Sequence, residues 1–348
     1  MKDLKFISSK KSEIPAKYLE QLFILMQKNT EEIFNYPPPT IDYYKKSWLF
    51  GIESSEEKYY VLTIDNKDNL LGYGYCSWNI KYDNLDKGYF WIYVAKDQRR
   101  KGIGKNVLKE IVKIYPEQIT CVVTEAFSNT DGISFVESLK IPKHYEEVMS
   151  ISDLTKFNIK EIKEEAEKQR NEAAKKGYDF HYFENMNQLL YLDKQIYVKM
   201  VEEIWNDMPL EDLSFEKDVL TVERFQEMQK TQLLIGERIM TFIVIQKETN
   251  TLVGLTSTLI NEHQPEVAKQ EDTGILKQHR GKGLGLALKY QMLQKLLTET
   301  NAKIWRTGNA GSNEHMLRIN QILKYEPKFK IPVFEIQRDV LEKRLKEN

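Results

Sequence analysis

Two stretches of this chain are versions of each other, and that repeat limits the fold more than any other feature. "DQRRKGIGKNVLKEIV" at Asp97 resembles "KQHRGKGLGLALKYQML" at Lys277, with Arg99, Gly102 and Gly104 matching Arg280, Gly283 and Gly285. Downstream, "NTDGISFVESLKI" from Asn129 aligns with "NEHMLRINQILKY" from Asn313. The two pairs lie in the same order at offsets of 181 and 184 residues. So long a period is no solenoid. A chain of 348 residues is also long for one core. The repeat therefore predicts two domains of one type.

Each half predicts the same series of elements. In the first half a strand near "LKFISS" is followed by a helix after Pro15, with Leu19, Leu22, Phe23 and Met26 at helical spacing. The runs "KYYVLTI", "LLGYGYCSW" and "GYFWIYVA" are rich in aromatic and β-branched residues, as strands are. "DNKDN" is turn chemistry between the first two. Then come the glycine motif, a helix, the strand "ITCVVTEAF", a helix after Asn129 and a last strand near "YEEVMSI". The second half repeats this with "YDFHYF", a helical region to Trp205, "MTFIVIQ", "TLVGLTSTLI", "EDTGILKQ", the second motif, its helix, "AKIWRTGN", the helix after Asn313 and "VFEIQRDV". The charged stretch between them alternates in sign and reads as a solvated helical connector. The expected domains are 1–155 and 177–348, joined by the connector 156–176.

Composition removes several function classes. The net charge of -1 gives no general basic field for nucleic acid. No apolar run is long enough for a bilayer, and "MKDLKF" lacks signal-peptide character. Cys76 and Cys121 lie far apart, which fits a reducing cytoplasm. His144, His181, His263, His279 and His315 lack metal-ligand spacing, so no metal is expected.

Both glycine motifs fall between a predicted strand and a predicted helix. Free N–H groups at a helix start can hold a phosphate, and side chains there would keep it away. No P-loop string G-x-x-x-x-G-K-[ST] occurs, and G-x-G-x-x-G fails because Leu288 follows Gly283 and Gly285. Both halves satisfy R-x-x-G-x-G. The candidate phosphate-binding residues are Arg99, Arg100, Lys101, Gly102, Ile103 and Gly104, and Lys277, Arg280, Gly281, Lys282, Gly283, Leu284 and Gly285.

The order of three strands, R-x-x-G-x-G, helix, strand, Asn-led segment and helix resembles the GNAT superfamily of N-acetyltransferases. "VAKDQRRKGIG" from Val94 and "ILKQHRGKGLG" from Ile275 resemble its acyl-CoA pyrophosphate loop, and the segments at Asn129 and Asn313 resemble the one that follows it. Two units in one chain are similar to the arrangement of mycothiol synthase relatives. The resemblance implies an α/β (α+β) fold of two tandem GNAT-like domains, each a mixed, mostly antiparallel sheet flanked by helices. It also implies acetyl-CoA as co-substrate, without a metal. Val94 and Ile275 would end the strands along which pantetheine lies. The tyrosine that many members use as acid falls at Val136 and Asn320, so another group must protonate the departing sulfur.

An amine of pKa about 10.4 must lose a proton before it attacks. Glu271 and Asp272, on the strand before the second loop, are the candidate bases, and the matching "KGYFWIYV" has no carboxylate. Glu125 keeps the first half open as an alternative, while Tyr89, Trp91 or Tyr93 could line an acceptor pocket there. Asn129 and Asn313 fit a CoA contact and a plain helix N-cap equally. His279 reads as a solvated loop residue. The expected activity is acetyl transfer to a primary amine of a small molecule or amino-group acceptor, with the chemistry in the second half. The alternative is a non-catalytic acyl-CoA sensor or scaffold. Neither a nucleic acid nor a membrane is an expected partner.

Overall fold

The structure, a computed structural model, describes residues 4–51, 54–184, 188 and 193–347. In chain order the first part forms β1 (Lys5–Lys10), α1 (Ala16–Phe34), α2 (Ile41–Phe50), β2 (Glu56–Ile64), β3 (Leu70–Asn79), β4 (Lys87–Val94), α3 (Ile103–Ile114), β5 (Cys121–Glu125), α4 (Gly132–Ser138) and β6 (Lys143–Asp153). It continues with α5 (Ile159–Lys175), β7 (Tyr178–Phe183), α6 (Lys194–Trp205), α7 (Val222–Leu234), β8 (Glu237–Gln246), β9 (Thr251–Asn261) and β10 (Gln264–Ile275). Last come α8 (Leu284–Glu299), β11 (Ile304–Ala310), α9 (Glu314–Ile322), β12 (Tyr325–Gln337) and α10 (Arg338–Glu347). No helix among the described residues is long and apolar enough to cross a membrane.

The chain packs as two units that are not contiguous in sequence. The first takes the chain up to Glu147, Leu210–Glu216 and the chain from Phe329 onward; the second takes Val148–Pro209 and Lys217–Lys328. The division differs from 1–155 and 177–348 by these exchanged segments. Apolar alternation in "VFEIQ" marks a strand but does not say which sheet receives it.

In the first unit the strand order is β1-β2-β3-β4-β5-β12, antiparallel throughout except for the parallel pair β4 and β5. The turn between β2 and β3 is built by Asp65, whose Oδ1 accepts from the N–H groups of Lys67 and Asn69, both at 2.8 Å. Ile103, Val107, Leu108, Ile111 and Val112 make one buried stripe on α3 and pack on Val61, Cys76, Phe90 and Val122. Phe334 and Ile336 of β12 and Leu341 and Leu345 of α10 complete that core. Arg338 fixes the junction by donating to the carbonyls of Pro116 at 2.8 Å and Val112 at 3.2 Å. These carbonyls lie at and just beyond the end of α3, where helix C=O groups lack partners. On the other face of the sheet, Tyr18, Leu22 and Leu25 of α1 cover Tyr60, Leu62 and Tyr73.

In the second unit the order is β7-β8-β9-β10-β11, with only β10 and β11 parallel. Ala287, Leu288, Met292 and Leu296 of α8 pack with Met240, Phe242 and Trp305. On the other face Tyr197, Val201 and Ile204 of α6 cover Ile243, Leu252 and Leu255. The charged stretch expected as a solvated connector is a helix, α5, but one face of it is docked. Ile162, Ala166 and Ala173 are buried, and Gln291 of α8 donates to the Ala166 carbonyl at 2.7 Å. Small residues let the two backbones approach, while the charges occupy the outer face.

Candidate active site

The candidate site in each unit is a wedge where two parallel strands part. In the first unit β4 and β5 pair only from Lys87–Tyr89 to Cys121–Val123. Beyond them opens a cavity of about 280 Å³. Of the residues expected at the first loop, Val94, Arg99, Arg100, Gly102, Ile103 and Gly104 line it; Lys101 instead bonds the Asp97 carbonyl and the Gln98 side chain, each at 3.0 Å. In the second unit β10 and β11 pair from Val267–Lys269 to Ile304–Arg306 and then part. In both wedges the freed strand edge can take an extended, amide-bearing ligand as an added strand.

Both glycine loops use the same backbone device. Gly102 and Gly283 cap α3 and α8 at φ 77° and 82°, and the residue two before each, Arg100 and Gly281, is also left-handed at φ 63° and 75°. The space a Cβ would take at Gly281 or Gly283 is open, so what demands glycine there is φ and whatever sits on the loop. A cradle of N–H groups at a helix start fits a pyrophosphate. Gly104 and Gly285 differ: a Cβ would lie 3.4 Å from Phe135 and 3.5 Å from Ile319, ordinary contact distances, so packing against α4 and α9 does not itself demand glycine there.

The motif arginines hold the loops in shape. Arg99 Nε donates to the Val94 carbonyl at 3.0 Å, and Arg280 Nε to that of Ile275 at 2.8 Å. Arg99 then grips Glu32 of α1 through two 2.6 Å bonds and Asp131 at 3.0 Å. Arg280 and Lys277 pair with Asp207, just after α6. Burial works against the Asp207 charge, but these two cations hold its carboxyl below the usual range. Glu32 and Asp207 lie 67 and 73 residues from their arginines, so no local spacing announces them.

The remaining expected residues separate. Asn313 caps α9 by accepting from the Met316 N–H at 3.2 Å. Asn129 caps no helix; its Nδ2 donates to the Ile33 carbonyl at 2.7 Å and ties its loop to α1. His279 is buried rather than solvated, bonded to the Tyr178 hydroxyl at 2.9 Å, which in turn meets Lys282. Burial and the Lys282 charge pull its pKa down. Ile275 and Leu284 are core residues that carry the loop's main chain.

Glu271 and Asp272 fall at a β-bulge. Against β9 the register steps from Gln270–Thr258 to Thr273–Thr256, so β10 holds one extra residue. The Asp272 N–H turns to the Ser257 hydroxyl at 3.3 Å, and the Gln270 amide braces the bulge by donating to the carbonyls of Ser257 at 2.6 Å and Asp272 at 2.9 Å. Glu271 pairs with Lys269 at 2.7 Å. Burial pushes the Asp272 carboxyl up to about 6; the Trp205 indole opposes the rise and Glu271 adds to it. Trp91 holds the matching place in the first unit and stacks edge-on against Phe127, 5.5 Å between centroids. There β3 and β4 pair without interruption from Gly72–Val94 to Trp78–Gly88. Among the described residues no cluster of three or more His, Cys, Asp or Glu could hold a metal ion.

Residues 19–139 match the Acetyltransferase (GNAT) family. No curated protein sequence matches the chain. Among solved structures it resembles a tandem GNAT protein from the clavulanic acid biosynthesis pathway, at 16% identity and a TM-score of 0.75, over 97% of this chain and 99% of that one. A GCN5-related N-acetyltransferase from Sphaerobacter thermophilus matches at 12% identity and a TM-score of 0.60, over 96% of each chain. Saccharomyces cerevisiae N-myristoyltransferase with bound myristoyl-CoA matches at 12% identity and a TM-score of 0.57, over 97% of this chain and 83% of that one. The family match over residues 19–139 and the fold shared with a tandem GNAT protein along nearly the whole chain agree with the two wedges and the doubled loop: the chain has the fold of two tandem GNAT-like domains.

Proposed function

We propose that the second unit transfers an acetyl group from acetyl-CoA to a primary amine with Asp272 as base, and that the first unit binds acyl-CoA without turning it over. What supports this reading is the bulge in β10, which lies just past the last β10–β11 pair and carries a buried carboxyl of raised pKa on the strand that leads into the second glycine loop. Bound acetyl-CoA would supply the activated thioester. The chain's own work is to orient and to move a proton. An alkyl amine arrives charged at neutral pH. A carboxylate poised near 6 is ionised there and still basic enough to accept that proton. Glu271 is held in an ion pair by Lys269 at 2.7 Å, which leaves Asp272 as the candidate. The second arm rests on Trp91, which puts an indole where the second unit has its acid.

Free thiol released from acetyl-CoA over a panel of amines tests the proposal. Turnover should fall with a single ionisation as pH drops through about 6. Asp272→Asn should remove that limb and lower kcat/KM by roughly a hundredfold or more. The same change should stabilise the protein. A carboxyl whose folded pKa lies above its ordinary 3.8 costs stability above about 6 and nothing below about 4. At pH 7 the gain should be about 1–3 kcal/mol by denaturant titration. Gly283→Glu should abolish turnover in a folded protein, and Gly102→Glu should leave most of it. The opposite pattern would move the chemistry to the first unit, and binding without turnover in the wild type would make both units sensors.

A further inference from the structure

The two wedges differ in one buried place. In the first unit the third residue past the last β4–β5 pair is Ala126, and Val136 of α4 faces the same cavity. In the second unit the third residue past the last β10–β11 pair is Asn309, and Asn320 holds the place of Val136. The two side chains meet: Asn320 Nδ2 donates to Asn309 Oδ1 at 2.6 Å. Asn309 Oδ1 also receives a long 3.5 Å contact from the buried Thr307 hydroxyl. Asn320 is only 3% exposed, yet its Oδ1 has no hydrogen-bond partner. Its neighbour Ile319 lies 3.5 Å from where a Cβ of Gly285 would stand, so this turn of α9 abuts the start of α8 beside the glycine loop.

Buried side-chain polar atoms are seldom left unpaired in a native fold. An apolar pair serves the same place in the first unit, so packing alone does not call for two carboxamides. We infer that Asn320, positioned by Asn309, hydrogen-bonds a secondary amide of a pantetheine-type arm in the second wedge; this rests on reading that wedge as an acyl-CoA site. The chemistry matches on both sides. As drawn, Oδ1 accepts an amide N–H. With both carboxamides turned over, Asn320 offers an N–H to an amide carbonyl, and Asn309 Nδ2 donates to Asn320. A ligand carrying both groups in one extended chain satisfies either state. The first wedge, with Ala126 and Val136, recognises its ligand without that bond and so discriminates less against chains that lack amides.

The test uses full-length Gly102→Glu protein, in which the first loop is blocked, and calorimetry with two probes. CoA carries the pantetheine arm; adenosine 3′,5′-bisphosphate carries only the nucleotide end. Asn320→Val, the first unit's own residue, should weaken CoA roughly tenfold, the worth of one buried hydrogen bond. It should leave the bisphosphate within about twofold. Asn320→Ala should show the same split if valine crowds α9. Equal loss for both probes would mean a structural role, and unchanged CoA affinity would mean that water serves the orphan oxygen; either result overturns the inference. If Gly102→Glu protein with Asn320 intact binds neither probe, the second wedge is no CoA site and the wider reading fails with it.

Discussion

Lys289 points from α8 into the core of the second unit, fully buried, with no hydrogen-bond partner for its amine. It lies over two rings, 4.7 Å from the centroid of Trp305 and 5.2 Å from that of Tyr325. Burial pulls its pKa down to about 7. The two rings favour the charged form and return part of that cost. Because the folded pKa lies below the ordinary 10.5, the penalty is full below pH 7 and fades as pH rises toward 10.5. Stability should therefore climb across that window. Lys289→Met, which keeps the stem, should raise stability at pH 7 by about 2 kcal/mol and flatten the climb, read by urea titration at several pH values.

At the scale of elements, the parts set by local chemistry were legible and those set by distant partners were not. The aromatic strands, the "DNKDN" turn and both strand–loop–helix motifs stand where the sequence put them. The helices α2, α7 and α10 were not foreseen. Charged and aromatic residues blur the apolar stripe of α2 and α7, and α10 begins inside a run that reads as strand. The bulge in β10 is visible only as two acids in a strand, with no count of the partner residues that make one extra. The loop itself yields a prediction. Arg100 adopts φ 63°, which the second loop gives to glycine. A left-handed L-residue costs about 1–2 kcal/mol, partly offset by the freedom glycine loses on folding. Arg100→Gly should raise the stability of the first unit by up to about 1 kcal/mol, as hydrogen exchange across α3 would show.

For the whole molecule, the decisive fact is which unit receives β12. β12 pairs with β5 from Val333–Glu125 to Gln337–Cys121, and Glu335 accepts from Cys121 Sγ at 3.1 Å and the Ser214 N–H at 3.0 Å. Ser214 belongs to the short segment Leu210–Glu216, so three pieces of chain meet in one unit. Ending the chain at Lys328 should expose α3 to rapid hydrogen exchange and abolish ligand binding at the first loop, although that loop lies more than two hundred residues upstream. If the shortened chain still protected α3, β12 would be an ornament to the first unit rather than part of it.

This also sets the order of events during synthesis. The first glycine loop leaves the ribosome early, yet β5 lacks its partner β12 and α3 lacks the Arg338 cap until residues some two hundred positions downstream are free. For most of translation the edge of β5 is an open template for a wrong strand. A change in β12 or at Arg338 thus acts on the first half of the protein, and a ribosome that stops before β12 releases a chain whose earliest-made glycine loop sits on an unfinished sheet.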